Sequence, residues 1–288
     1  MIRKINRKSM KIVESGRSTD YLSPSFGHGC LYSCHYCYMR RNIPHGLNVA
    51  QNPQEILTAI DNHVSNLQWP KIPNQTHEKY WTYDISCNED FALHHKYHDW
   101  EMIFDFFKNH PRAMGSFATK YIPTAFLNFN PKKKMRIRFS LMPVEFNREL
   151  EPHTTDIGDR IRAIKEFHKA GYDVHVNFSP IIVWQGWLKY YESLFHALNQ
   201  FIPNEIKHEV KAECIFLTHN EKLHQYNLDH GVDAEKYLWN PELQEEKISQ
   251  VSKGTNIRYK HTMKKYWISD FVRSHYDIIP WNKIRYIF

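Results

Sequence analysis

Strand-like runs alternate with amphipathic helical segments about six times between residues 21 and 218, and few folds accommodate that rhythm. The strand candidates are YLSPSF (21–26), YWTYDISC (80–87), SFATK (116–120), MRIRFSLM (135–142), VHVNFSPIIV (174–183) and VKAECIFLT (210–218). Pro53 suits a first helical turn, and Ile56, Leu57, Ile60, Val64 and Leu67 follow at helical spacing. Residues 98–109 set Trp100, Ile103, Phe104 and Phe107 on one side of a second helix. Residues 156–170 do the same with Ile157, Ile161, Ile164 and Phe167, and Gly171 stands where the helix should stop. Residues 186–201 read as a further helix. Such alternation predicts a parallel sheet with crossover helices. In sheets of this kind, sites lie beyond the carboxyl ends of the strands.

The expected organisation is a basic arm over residues 1–20, one α/β domain over 21–240, and a C-terminal appendage over 241–288. Hydrophobic residues at 42% and charged residues at 24% exclude a disordered chain. No apolar run reaches the ~18–20 residues that span a bilayer. The opening MIRKINRKSMKIVESG has no apolar h-region, so the expectation is a cytoplasmic protein with no membrane partner. A surplus of 38 basic over 31 acidic side chains favours polyanionic partners. The tail adds Arg258, Lys260, His261, Lys264, Lys265, Arg273, Lys283 and Arg285, interleaved with Tyr259, Tyr266, Trp267 and Trp281. That mixture suits strand tracking and base stacking, or else a solvated helix face. PKKKMRIR (131–138) is a second basic run with the same two readings.

Five cysteines are present, three of them (Cys30, Cys34 and Cys37) within eight residues. An odd count and tight spacing favour metal or cluster binding over a disulfide framework. Three thiolates can hold three irons of a 4Fe–4S cluster and leave the fourth iron open. The competing reading is zinc held by the three thiols and His28; His35, between two of the cysteines, is badly placed for the same ion.

CLYSCHYC resembles the cluster motif of the radical S-adenosylmethionine (SAM) superfamily, and it falls after a first strand, as in that family. Within the superfamily the chain resembles the spore photoproduct lyases. The resemblance rests on Cys34-His35-Tyr36-Cys37-Tyr38, on ISCNED with Cys87 and Asp90, on Thr119-Lys120 and on Arg138-Phe139-Ser140. It continues through Glu151-Pro152-His153-Thr154, Ala170-Gly171-Tyr172, Pro180-Ile181, Gly186-Trp187 and Thr218-His219, covering about residues 20–240 in order.

This resemblance implies a partial (β/α)6 TIM-type barrel with SAM chelated to the open iron. It implies reductive cleavage to a 5′-deoxyadenosyl radical, and reversal of a thymine–thymine lesion in UV-damaged DNA. Cys87 would donate a hydrogen atom to the thymine radical, and Tyr36 and Tyr38 would lie on the path returning the radical to SAM. Glu89 or Asp90 would meet the SAM ammonium or ribose, Lys120 its carboxylate, and Ser140 would add a hydrogen bond. An external electron donor of the flavodoxin or ferredoxin type is implied as well.

Two departures stand out. Asn88-Glu89 replaces the small hydroxyl residues that follow the family's lone cysteine, and Lys236-Tyr237-Leu238-Trp239 lacks an expected arginine. The residues alone also permit Cys87 as a buried strand cysteine and the two tyrosines as packing, while mid-strand Cys214 reads as core. The alternative functions are a radical SAM enzyme on another nucleic acid or a small molecule, and a zinc-binding nucleic-acid module without catalysis.

Overall fold

The computed structural model describes residues 1–44, 46–248 and 254–288; part of the expected appendage, residues 249–253, lies outside the described residues. The chain enters through β1 (Ile2–Ile5) and β2 (Val13–Glu14), where sequence suggested an irregular arm. Strand β3 (Tyr21–Leu22) leads to the cysteine loop, which holds β4 (Gly27–Gly29) and the single turn α1 (Met39–Asn42) and ends in β5 (Leu47–Ala50). β5 pairs antiparallel with β4 and parallel with β1, so the basic N-terminus clamps the hairpin that brackets the cysteines. Strand β1 escapes a periodicity reading because IRKI is mostly exposed and its partner lies far along the chain.

The alternating unit then runs α2 (Pro53–Ser65), β6 (Trp81–Asp84), α3 (Trp100–Asn109), β7 (Ala113–Thr119), β8 (Met135–Leu141), α4 (Val144–Leu150) and α5 (Ile157–Lys169). It continues through β9 (Asp173–Ile181), α6 (Trp187–Phe201), α7 (Asn204–Lys207) and β10 (Ala212–Phe216). The helix faces anticipated above are buried: Ile56, Leu57, Ile60 and Val64 in α2, and Ile103, Phe104 and Phe107 in α3. Asp99 caps α3 by accepting from Met102 N at 3.3 Å, and Asp156 caps α5 by accepting from Gly158 N at 2.7 Å. Gly171, at φ +94°, terminates α5; a side chain there would strike the Asn130 amide. The chain closes through β11 (Thr218–His219), α8 (Glu221–Asp229), β12 (Gln244–Ile248), β13 (Thr255–Tyr259), α9 (His261–Ile278) and β14 (Ile284–Ile287).

Eight strands form one sheet in the order β14-β10-β9-β8-β7-β6-β3-β2. All neighbours are parallel except β2, which pairs antiparallel with β3. The sheet curls into a half-barrel, as the strand–helix alternation predicts. Segments set apart in sequence as an arm and an appendage thus both supply strands to the main sheet, at its two edges. Arg285 NH2 reaches across to Ser18 O at 3.3 Å, and the Arg17 guanidinium lies 4.8 Å over the Phe288 ring.

The lumen of the half-barrel is ionic. On β8, Ile137, Phe139 and Leu141 belong to the hydrophobic core, while Arg136, Arg138 and Ser140 alternate with them. Arg138 bonds Asp84 Oδ2 at 2.5 Å and Glu213 Oε2 at 3.1 Å, and Glu213 also takes Arg285. Below them Arg136 Nε bonds Asp173 Oδ2 at 2.6 Å, and His175 Nε2 meets Asp173 Oδ1 at 3.1 Å. The basic run 131–138 is therefore largely internal: Lys134, Arg136 and Arg138 are all buried, and Lys134 Nζ donates to His110 O at 2.7 Å. Their partners arrive from other strands, which composition alone does not reveal.

Candidate active site

A cleft at the carboxyl ends of β6 to β9 gathers the residues singled out in sequence. Cys30, Cys34 and Cys37 line it from the loop after β3, together with Tyr36 and Tyr38. Cys87, Glu89 and Asp90 line it from beyond β6, Lys120 from the end of β7 and Ser140 from β8. Strand β6 stops at Asp84 rather than running on to Cys87. Ser86 N bonds back to Asp84 Oδ1 at 2.8 Å, and Ser86 Oγ takes Phe91 N at 3.0 Å, which turns the chain and lifts Cys87 into the cleft.

Cys30, Cys34 and Cys37 line the same cleft, and an all-thiol donor set fits the soft irons of an iron–sulfur cluster. Burial, helped by Asp90, pushes the Cys30 thiol up to about 12, and burial also raises Cys34 and Cys37, so loading metal here releases protons.

Cys87 sits in a hydrogen-bonded row. Its Sγ is 3.8 Å from Ser25 Oγ, which accepts from Asn88 Nδ2, while Asn88 Oδ1 accepts from Tyr38 OH at 3.0 Å. Burial, with Asp84 and then Glu89 adding, pushes the Cys87 thiol up to about 11. Tyr36 OH donates to Glu151, a carboxylate also bonded by Arg160 NH1 at 3.1 Å and Asn147 Nδ2 at 2.9 Å. Lys120 Nζ lies 3.9 Å from the same carboxylate and 5.6 Å over the Tyr36 ring. Burial lowers the Lys120 ammonium's affinity for its proton, but Glu151, Cys34 and Asp90 together outweigh it and the pKa rises, so Lys120 stays cationic beside the cleft.

The two acids after Cys87 behave differently. Asp90 spends its oxygens on Thr119 Oγ1 (2.7 Å), Lys120 N (2.8 Å) and Leu93 N (3.1 Å), stapling the β6 loop to the end of β7. The Glu89 side chain is buried, with Oε2 held by His94 at 3.0 Å and His98 at 2.9 Å. Burial would raise its pKa, but the two imidazoles prevail and hold it low. Its Oε1 has no partner, and neither does Oδ1 of Asn177, which lines the cleft in register with Ser140. Two buried acceptors at one cleft fit a ligand rich in N–H and O–H donors, such as an amino acid–nucleoside conjugate.

Sequence reasoning passed over Asn177 as a site residue, although the polar alternation in VHVNFS marks it. From sequence Glu151 reads only as part of a turn, because no apolar stripe marks the short α4 that positions it. Gly27 packs against the Glu89 carboxylate, and an added Cβ would overlap it. Gly27→Ala is therefore expected to lower stability by ~1–3 kcal/mol, read as a fall in thermal midpoint.

The tail divides. Arg258 and Lys264 lie over the Phe288 ring at 4.8 and 4.3 Å, Arg285 pairs with Glu213, and Trp267 and Trp281 pack on the core. Lys265, Tyr266 and Lys283 remain exposed. A second cavity, lined by Tyr36, Tyr38, Asn88, Asn220, Lys222 and Asn256, adjoins the cleft.

An open parallel half-barrel that collects these thiols and tyrosines at its carboxyl ends has the radical SAM architecture. Residues 4–276 match the family model for spore photoproduct lyase, and the chain belongs to that family. It is 28% identical over 214 residues to the spore photoproduct lyase of Bacillus subtilis (strain 168), a match covering 73% of this chain and 59% of that protein. The chain thus spans less than two thirds of the length of this curated relative. Among solved structures it is similar to spore photoproduct lyase complexed with dinucleoside spore photoproduct (TM-score 0.85, 19% identity, 100% of this chain and 82% of that one). A doubly substituted variant with bound AdoMet and dinucleoside spore photoproduct gives TM-score 0.84 at 18% identity, with the same coverage. No helix is long and apolar enough to cross a membrane.

Proposed function

We propose that this chain is a radical SAM lyase that reverses a thymine lesion of the spore photoproduct type in DNA. The observation that carries the reading is the convergence of the three-thiol loop, Cys87, Tyr36 and Tyr38 on one cleft within this family. Cys30, Cys34 and Cys37 would hold a 4Fe–4S cluster, which together with SAM would supply the radical chemistry that starts repair.

The chain's own residues do the rest. Lys120 is placed for the SAM carboxylate, while Glu89 Oε1 and Asn177 Oδ1 await its ammonium and ribose donors. Ser140 lines the same cleft and offers a hydroxyl, and Asp90 sets the position of Lys120 by accepting from the Lys120 backbone N–H. Cys87 remains a thiol at neutral pH and holds the hydrogen atom that a thymine radical needs. Ser25 and Asn88 align that thiol with the Tyr38 hydroxyl, and Glu151 fixes the Tyr36 hydroxyl. The adjoining cavity, with Asn220, Lys222 and Asn256, is where flanking nucleotides would lie, and exposed Lys265, Tyr266 and Lys283 are candidates for strand contacts. A lesion in duplex DNA must be extruded to reach such a cleft, at a cost of a few kcal/mol. A flavodoxin- or ferredoxin-type donor would deliver the electron, and a cytoplasmic location is proposed with it.

The test is anaerobic turnover of the reconstituted protein with SAM and dithionite on an oligonucleotide bearing one spore photoproduct, read by mass spectrometry. Recovery of two intact thymines is expected. Accumulation of 5′-deoxyadenosine with the lesion intact would place the enzyme on another nucleic acid or a small molecule. Asn88→Ala should keep cluster content and 5′-deoxyadenosine formation, yet lower repaired lesion per 5′-deoxyadenosine by about tenfold, the equivalent of ~1.4 kcal/mol.

A further inference from the structure

Away from the cleft, β11, α8 and the 3₁₀ turn Asp233–Tyr237 bring a second set of ligating atoms together. His219 Nε2, His224 Nδ1 and a Glu235 oxygen lie within 4.8 Å of one another. Glu235 is buried, and its Oε1 sits 2.8 Å from His219 Nε2 and 2.6 Å from His224 Nδ1. Asn227 Nδ2 holds Oε2 at 2.6 Å. The groups touching the carboxylate are two imidazoles and an amide, and the cation nearest to it in this network, Arg40, reaches it only through Asn227. A carboxylate removed from water needs a counter-charge close by.

We propose that His219, His224 and Glu235 bind one divalent transition metal of the zinc class. Two imidazoles and a carboxylate oxygen are a known zinc donor set and leave a fourth position for water. Supporting contacts are in place around it. Asn227 fixes the free carboxylate oxygen, and Trp239 stacks on the His224 ring at 3.9 Å and 9°. Asn227 Nδ2 also donates to His35 O at 2.9 Å, and Asn227 Oδ1 takes Arg40 NH1 at 2.8 Å. The metal would thereby lock the β11–α8 segment onto the loop carrying Cys34 and Cys37. The rival arrangement is a cluster held by hydrogen bonds without an ion, with Arg40 supplying positive charge through Asn227. The buried, unpartnered Nδ1 of His219 does not separate the two, since it lacks a partner in either state.

This site is independent of the reaction proposed above, and its test does not use turnover. Cluster-reconstituted wild-type protein would be dialysed against micromolar Zn²⁺ and then buffer, its zinc and iron counted, and its zinc X-ray absorption edge recorded. About one zinc per chain with nitrogen and oxygen scatterers at ~2.0–2.1 Å is expected. His224→Ala and Glu235→Gln should lose that zinc while iron per chain stays unchanged. Zinc well below one equivalent, or sulfur scatterers at ~2.3 Å marking capture by the cysteine loop, would overturn the proposal. The wild-type spectrum decides even if neither variant folds.

Discussion

Cys87→Ala protein should load its cluster and cleave SAM at the wild-type rate, yet restore intact thymines at least ~100-fold less often, a loss of ~2.7 kcal/mol or more in barrier terms. Among the described residues the thiol's polar contact is Ser25 Oγ at 3.8 Å, so removing it breaks no hydrogen bond to Cys30, Cys34 or Cys37. The methyl group of alanine has no hydrogen weak enough to give up, so a thymine radical formed in the cleft would be quenched by whatever reaches it. The measurement is the ratio of repaired thymine to 5′-deoxyadenosine, with side products resolved by mass spectrometry. A wild-type ratio in the variant would remove Cys87 from the mechanism. The acidity of the thiol gives a second handle. Burial first, then Asp84 and Glu89, pushes it up to about 11, so the hydrogen-bearing form is intact at neutral pH and is lost only as pH rises through about 11. Repair per 5′-deoxyadenosine should therefore show no alkaline fall between pH 7 and 9.

Arg138→Met is expected to destabilise the fold by ~3–5 kcal/mol, because it leaves Asp84 and Glu213 facing each other in a buried lumen without their shared cation. For a chain of this size that corresponds to a fall of about 5–8 °C in thermal midpoint. The effect should depend on pH in a defined direction. Burial opposes ionisation of Glu213, but Arg138 and Arg285 win and hold its pKa down at about 2, below the ordinary 4.5. A group depressed in this way contributes stability that is present above 4.5 and fades as pH falls toward 2. Removing Arg138 returns the Glu213 pKa upward, so the gap between wild type and variant should narrow on acidification below about 4.5. A gap that stays constant as pH falls from about 5 to about 2.5 would show that Arg138 acts through packing and not through charge.

The residues that carry chemistry were legible because each is marked by type and by place. Three thiols at tight spacing, a lone cysteine beyond a strand, and a lysine and a serine at strand ends read as a site without any contact being known. Helices α2, α3 and α5 were legible because their apolar stripes repeat every turn. The charged interior was not. In MRIRFSLM the arginines read as part of a basic run, and their burial follows only from carboxylates delivered by β6, β9 and β10. The tail strand β14 reads as a loose end until its parallel pairing with β10 is seen, and Arg285 reads as a nucleic-acid contact until Glu213 is opposite it.

By itself, then, the sequence determined the alternation that makes a parallel half-barrel, the thiol loop and the lone cysteine, since these depend on local periodicity and on side-chain chemistry. The tertiary structure alone decided the row from Tyr38 through Asn88 and Ser25 to Cys87, the anchoring of Tyr36 by Glu151, and the meeting of His219 and His224 on Glu235. Most of these contacts join residues far apart along the chain, and a hydrogen bond or ion pair depends on where the backbone brings two groups and how much water it leaves between them.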